Sequence, residues 1–194
     1  VTGLGLVGNL ASQLARLQWA NVFGIDLSER RLRMAEETGL DAAIRGDAAD
    51  IREQVMKLTN GAGASALIEA TGVPKVAVDS LPLLAKYGEL ILLGSPRGEH
   101  LTDVTEVLNY VHLNPYGNLS FKGAHEWRFP VERDPFVKHS LIRNSEIAFG
   151  LMAKNKLLVE PLISHVLKPE EAPRAYEGLR NDKENYHGVL FDWS

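Results

Sequence analysis

Gly3, Gly5 and Gly8 stand at the spacing G-x-G-x-x-G, and a carboxylate, Asp26, closes the next apolar run, Val22-Phe23-Gly24-Ile25-Asp26. Three glycines and one acid at these intervals suit the binding of a dinucleotide. Gly3 lets a backbone leave a strand in a tight turn, Gly5 admits a pyrophosphate to the main chain, and Gly8 lets the following helix pack closely on a sheet. The free N–H groups of that helix's first turn, with the positive end of its dipole, would face the phosphates. Asp26 would accept both hydroxyl protons of an adenosine ribose and repel a 2′-phosphate, which favours NAD over NADP. The plainer alternatives are a glycine-rich turn without ligand and a strand-end turn acid. The order of turn, helix, strand and acid argues against both.

These residues need a sheet behind them, and the chain alternates strand and helix signals without repeats or low-complexity linkers. A helix is expected over 9–18, with Leu10, Ala11, Leu14, Ala15 and Leu17 on one face. The strand leading into Gly3 has only Val1 and Thr2, where strands usually run about 5 to 6 residues, so the chain is expected to be a fragment. Ser28 caps a helix through Thr38, ended by Gly39. Asp50 caps another, carrying Ile51, Val55 and Leu58 and stopped by Asn60-Gly61. Residues 64–70 form a buried-type strand, Pro74 opens a helix to about Lys86 that bends at Pro82, and 89–93 form a further strand. Such alternation predicts an α/β fold, a doubly wound parallel sheet with helices on both faces. Residues 94–117 are a long excursion with a short helix over 103–111, after which 119–122 resume as a strand. Asp134-Pro135 opens a helix running through Met152. From about Leu158 the character changes: a strand at 162–167, a helix after Pro169 with Ala172, Ala175, Tyr176 and Leu179, and a last strand at 188–193 bury little by themselves.

Composition excludes several other classes. With 194 residues, 45% hydrophobic and 24% charged, the chain reads as globular, and its formal net charge of -4 without Lys/Arg tracts gives no reason to expect nucleic acid or a membrane surface as partner. No transmembrane run or basic leader segment is visible, and a cytoplasmic location is expected. The absence of cysteine removes disulfides and thiolate metal sites. The histidines His100, His112, His125, His139, His165 and His187 show no ligand spacing, and His125-Glu126 lacks the second His of a zincin helix. Ala70-Thr71-Gly72-Val73-Pro74 is similar to the Ala-Thr-Gly stretch of two-dinucleotide flavoproteins and would suggest FAD. Against FAD, the acid is Asp where such sites usually carry Glu, and Ala70 follows Asp26 too closely for an intervening domain.

The order of Gly-Leu-Gly-Leu-Val-Gly, Gly-Ile-Asp-Leu-Ser-Glu-Arg-Arg, Ile-Glu-Ala-Thr-Gly, Glu-Leu-Ile-Leu-Leu-Gly, Phe-Lys-Gly-Ala and Leu-Ile-Ser-His closely resembles the medium-chain dehydrogenase/reductase family, the zinc-type alcohol and polyol dehydrogenases. The resemblance implies a Rossmann domain over 1–157 and, over 158–194, the C-terminal segment of an incomplete GroES-like catalytic domain. It implies a cofactor, NAD, and a hydride exchanged with a small-molecule alcohol, polyol or ketone. Zinc ligands and proton-relay residues are expected only in a missing N-terminal half, so no catalytic or metal-ligating residue is assigned here. Position by position, Gly3, Gly5, Leu6, Val7 and Gly8 match the phosphate turn, Asp26 the ribose acid, and Arg31 a basic residue packing on the adenosine ribose. Arg31 is equally readable as a solvated charge. Thr71 and Gly72 match the loop by the nicotinamide ribose, Leu93, Gly94 and Ser95 the loop after the next strand, and Ala124 and His125 the segment near the carboxamide. His187 falls where relatives often carry Arg or Lys facing the pyrophosphate. A homodimer is expected through the 118–122 edge strand, with Leu119 and Phe121 on it and Tyr110, Leu113 and Tyr116 beside it; the latter three could instead line a substrate-side loop. Leu162, Ile163, Val166 and Leu167 are expected to leave an exposed apolar patch. The alternative function is a stand-alone NAD-binding or sensor module without catalysis.

Overall fold

In the computed structural model, which describes residues 1–194, the chain enters its sheet at Thr2. Gly3 has a φ of +83°, a conformation that spares glycine the Cβ clash, and Gly5 becomes the N-cap of α1 (Leu6–Arg16). The elements that follow are β1 (Phe23–Asp26), α2 (Glu29–Glu37), β2 (Ala42–Arg45), α3 (Ile51–Leu58), β3 (Ala64–Glu69), α4 (Pro74–Asp79), β4 (Leu84–Leu92), α5 (Val104–His112) and β5 (Ser120–Gly123). After these come α6 (Leu141–Ala153), β6 (His165–Leu167), α7 (Ala172–Asn181) and β7 (Val189–Phe191). β1 pairs with β2, and β3, β4 and β5 pair in that order, all parallel. Thr2 bridges the two groups, parallel to Ile25 on one side and to Glu69 on the other. The sequence of strands is therefore β2-β1-Thr2-β3-β4-β5, the doubly wound order whose direction of winding reverses at Thr2. Ligands of such sheets bind at that reversal, beyond the carboxyl ends of the strands.

The main core is built from Ile44 of β2, Val55 of α3, Leu67 of β3, Leu81 and Leu83 just before β4, Leu84 and Leu90 of β4, and Leu119. A second cluster, Leu4, Leu32 and Ala35, fastens the start of the glycine turn to α2. A cavity of about 440 Å³ lies between β1 and β3, lined by Phe23, Leu58, Ala66 and Ile68 among others. Ser65 and Ala66 are exposed there although they sit in the middle of the sheet. No helix is long and apolar enough to cross a membrane.

Several elements depart from the pattern read in the sequence. α1 starts at Leu6, not Asn9, because the glycine turn runs straight into it, and its buried face is Gly8, Asn9, Ser12 and Gln13 rather than the leucine stripe. Close approach to the sheet at Gly8 keeps large side chains off that face, and its polar residues are bonded except at Asn9 Nδ2, which has no partner. Ser12 Oγ donates to Gly8 O at 2.9 Å, Thr38 Oγ1 to Asn9 Oδ1 at 3.1 Å, and Gln13 Nε2 to Leu158 O at 2.9 Å. Leu6, Val7, Leu14 and Leu17 stay exposed. The Pro74 helix ends at Asp79, where Ser80 Oγ bonds Val76 O and Pro82 brings no N–H, so a 3₁₀ turn over Leu81–Leu83 leads into β4 five residues earlier than expected. β2 was not visible as a strand in the sequence. Asp134-Pro135 opens no helix: Asp134 Oδ1 accepts the Phe136 N–H at 2.7 Å in a local turn, and α6 begins only after Ser140, whose hydroxyl accepts from Arg143 N–H. In the C-terminal stretch β6 and β7 form their own parallel pair. Leu162 and Leu167 are buried within the chain and Val166 and Leu190 point outward, so only part of the expected patch exists. Leu119 likewise faces the core, which leaves Phe121 as the apolar residue on the exposed side of β5.

Candidate functional site

The glycine turn is the most constrained part of the molecule. A Cβ at Gly8 would stand 1.8 Å from Gly3 O, and one at Gly3 would stand 2.8 Å from the Thr71 side chain, so turn, helix and β3 loop are in contact through their backbones. A Cβ at Gly5, by contrast, would meet nothing within 4 Å. That open ground lies at the start of α1, whose first-turn N–H groups at Leu6, Val7 and Gly8 have no carbonyl partner within the helix. An anion at this position would be met by those donors and by the dipole.

Asp26 forms the second corner. Its carboxylate is buried and accepts Leu4 N–H on Oδ2 at 2.7 Å and Ser28 N–H on Oδ1 at 2.9 Å, so the acid ties the glycine turn to the cap of α2. Each carboxylate oxygen offers about two acceptor sites, which leaves capacity for a pair of hydroxyls. Arg31 is not a solvated charge. Its Nη1 lies 3.9 Å from Asp26 Oδ2, its Nη2 donates to Lys183 O at 3.3 Å, and its Nε is buried without a partner. Ser28 caps α2 by accepting Arg31 N–H at 3.3 Å.

The third part comes from loops beyond β3, β4 and β5. Gly72 and Gly94 touch: a Cβ at Gly94 would stand 2.3 Å from Gly72 N, and one at Gly72, which has a φ of +69°, would stand 2.5 Å from Ser95 O. Leu93 and Gly94 both donate to Glu69 O, at 2.9 and 2.7 Å, and Ala124 N–H donates to Leu92 O at 3.0 Å. Thr71 is thus brought against Gly3, Gly72 against Gly94 and Ser95, with Leu93 held at the end of β3, and Ala124 and His125 follow one strand further along. Missing from the sequence reading is Glu69, only 1% exposed. Its Oε1 accepts Thr71 N–H at 2.7 Å and the Thr71 hydroxyl, and its Oε2 accepts Gly72 N–H at 3.1 Å. An acid at a strand end two and three residues before Thr-Gly was the available signal, since only a carboxylate can accept from so many donors at once.

His187 stands elsewhere. It lines a cavity of about 230 Å³ beside α2 with Arg30, Arg33 and Ser164, and burial first, then Arg30, Arg31 and His165, hold its imidazole below the ordinary histidine range against an opposing pull from Glu184. His165 stacks on Tyr186, ring centroids 3.9 Å apart. No group of three or more His, Cys, Asp or Glu side chains is placed to hold a metal ion.

Comparison with known proteins finds relatives that are named as dehydrogenases. The chain is 28% identical over 183 residues to a sorbitol dehydrogenase of Halalkalibacterium halodurans, covering 93% of this chain and 48% of the relative. It is 27% identical over 187 residues to an L-threonine 3-dehydrogenase of Pyrococcus furiosus, with coverage of 94% and 48%. The chain therefore spans about half the length of the curated relatives it matches. Among solved structures it superposes on the alcohol dehydrogenase of Aeropyrum pernix with a TM-score of 0.73 at 25% identity, covering 99% of this chain and 49% of that one. The benzyl alcohol dehydrogenase of Acinetobacter calcoaceticus, at 20% identity, shares the fold with a TM-score of 0.78 and coverage of 98% and 48%. The sequence model of the zinc-binding dehydrogenases matches residues 7–129, well over half of the chain and including α1, Asp26, Glu69 and the loops just described, so the protein belongs to the zinc-type medium-chain dehydrogenase family.

Proposed function

We propose that this chain is the NAD-binding portion of an oxidoreductase that moves a hydride between NAD(H) and an alcohol, polyol or ketone. The observation that carries the reading is the convergence of the open Gly5 ground, the buried Asp26 carboxylate with acceptor capacity to spare, and the Gly72–Gly94 contact at the point where the sheet winding reverses. The names of the relatives supply the reaction class. Gly3, Gly5, Leu6, Val7 and Gly8 would hold the pyrophosphate, Asp26 and Arg31 the adenosine ribose, Thr71, Gly72, Leu93, Gly94 and Ser95 the nicotinamide ribose, and Ala124 and His125 the carboxamide. When bound, the nicotinamide supplies the hydride acceptor or donor; the residues of this chain orient it and exclude the 2′-phosphorylated cofactor. Residues 158–194 would belong to a catalytic domain, tied to the dinucleotide domain through Gln13 and Leu158.

Calorimetric titration tests the reading. NAD is expected to bind more tightly than NADP, and Asp26→Ser to narrow the ratio of the two Kd values by about tenfold, because the charge that repels the 2′-phosphate is gone. The ratio is the proper readout: Leu4 and Ser28 N–H lose their acceptor in this variant, at about 1–3 kcal/mol each, so absolute affinities will fall too. Equal or tighter binding of NADP to the unmutated chain would overturn the reading.

We infer in addition that two copies pair through β5. The strand pairs with β4 alone, all four of its residues are exposed, and antiparallel pairing about a two-fold axis would satisfy both unpaired edges together. Light scattering at micromolar concentration should give about twice the chain mass of 21.4 kDa. A strict monomer would count against the pairing.

A further inference from the structure

Residues 26–31 carry two opposed signals about the cofactor. Asp26 repels a 2′-phosphate, whereas Arg30 and Arg31 at the start of α2, with the unpaired N–H groups and positive dipole end of that helix, would attract one. The conflict is resolved by residues far away in sequence. A turn of the C-terminal stretch lies over the start of α2: Ser28 Oγ donates to Glu184 Oε2 at 2.7 Å, and Arg30 Nη1 donates to Glu184 O at 3.0 Å and to Asn185 Oδ1 at 3.2 Å. Arg31 Nη2 donates to Lys183 O at 3.3 Å. Both arginines are therefore engaged by this turn, and the cap of α2 already holds a carboxylate. That carboxylate is one residue removed from Asp26, because the N–H of the same Ser28 donates to Asp26 Oδ1 at 2.9 Å. A negative group at a helix N-terminus is favourably placed, which gives the turn a reason to stay.

We propose that Glu184 fills the anion site at the start of α2 and, with Asp26, determines selectivity against the 2′-phosphate of NADP. The proposal rests on the reading of residues 3–31 as the adenosine half of an NAD site. It makes the C-terminal stretch a contributor to cofactor choice, and it explains how two arginines at the start of α2 are compatible with NAD: Arg30 Nη1 and Arg31 Nη2 are held by the turn that brings the second acid. A 2′-phosphate entering here would have to displace Glu184 from Ser28 and would face two carboxylates at once.

The test uses the full chain and ligands that differ at the 2′ position, adenosine 2′,5′-bisphosphate against adenosine 5′-monophosphate and NADP against NAD. In Glu184→Gln the side chain still accepts from Ser28 but carries no charge, and the Kd ratio of 2′-phosphorylated to plain ligand should fall by at least about fivefold, more in Glu184→Ala, with a smaller effect at about 0.5 M salt. A ratio within twofold of the unmutated chain in both variants, with the unfolding midpoint unchanged, would overturn the proposal. If Asp26→Ser shifts the ratio and the Glu184 variants do not, Asp26 acts alone and the proposal fails while the NAD reading stands. If none of the ligands binds the unmutated chain, the reading of the site falls and takes the proposal with it.

Discussion

Gly8→Ala is expected to abolish dinucleotide binding and to destabilise the fold by about 3 kcal/mol or more, the upper end of what overpacking costs. The added methyl would stand 1.8 Å from Gly3 O and 2.9 Å from Gly3 C, main-chain atoms that have no rotamer to escape into, with the Ala70 side chain at 3.2 Å behind them. Either α1 lifts off the sheet or the Gly3 turn opens, and both movements take the first-turn N–H groups away from the phosphates. Gly5→Ala separates the two effects. With nothing within 4 Å of its Cβ the unliganded fold should keep its unfolding midpoint, yet the methyl occupies the ground over which a pyrophosphate would lie, and affinity should drop by at least about tenfold. Chemical denaturation and calorimetry on the pair decide the matter: equal losses of stability in both variants would contradict the roles assigned to these glycines.

Removing the Glu69 carboxylate should have the next largest effect. Three donors, Thr71 N–H, the Thr71 hydroxyl and Gly72 N–H, converge on it, and Glu69 itself is 1% exposed, so Glu69→Ala removes the acceptor of all three, leaves the buried Gly72 N–H orphaned and opens a cavity beneath the loop. The orphaned buried donor costs about 1–3 kcal/mol, and with the cavity an overall loss of about 2–4 kcal/mol is expected. Binding should suffer beyond that loss, since the Thr71–Gly72 segment is held in its positive-φ shape by this carboxylate and is pressed against Gly94 and Gly3. Urea unfolding gives the first quantity. NAD affinity measured where the variant is still fully folded gives the second, and an unchanged Kd there would reduce Glu69 to a purely structural residue.

The elements that could be read from sequence are those with a local cause. The G-x-G-x-x-G turn, Ser28 as a cap, the short helix over 103–111, the apolar run of β3 and the strand–helix–strand at the C-terminus all follow from side chains acting on their own neighbours. Where the pattern misled, a distant partner had decided the outcome. The leucine stripe of α1 marks its exposed side because the buried side had to be small for the approach at Gly8, and Asn9 and Gln13 find their partners at Thr38 and Leu158. Pro82 was read as a bend in a long helix, yet it sits in a 3₁₀ turn that starts β4 early. That Asp26 and the glycine turn meet was legible from spacing alone. Glu184 was not, because its role arises only when residue 184 meets residue 28, a closeness that no periodicity reports.

The pairing of Thr2 on both sides at once gives the protein a particular response to its ligand. Main-chain bonds of Gly3 and Ile25 join the turn to β1, and those of Thr2 reach Ile68 and Ala70, so residues 1–3 belong to both halves of the sheet. A dinucleotide bound as proposed would rest its adenosine end on the β1 side and its nicotinamide end on the β3–β4–β5 side. Unfolding of either half would then release the cofactor, and the stabilisation it lends to both would grow with its concentration over Kd.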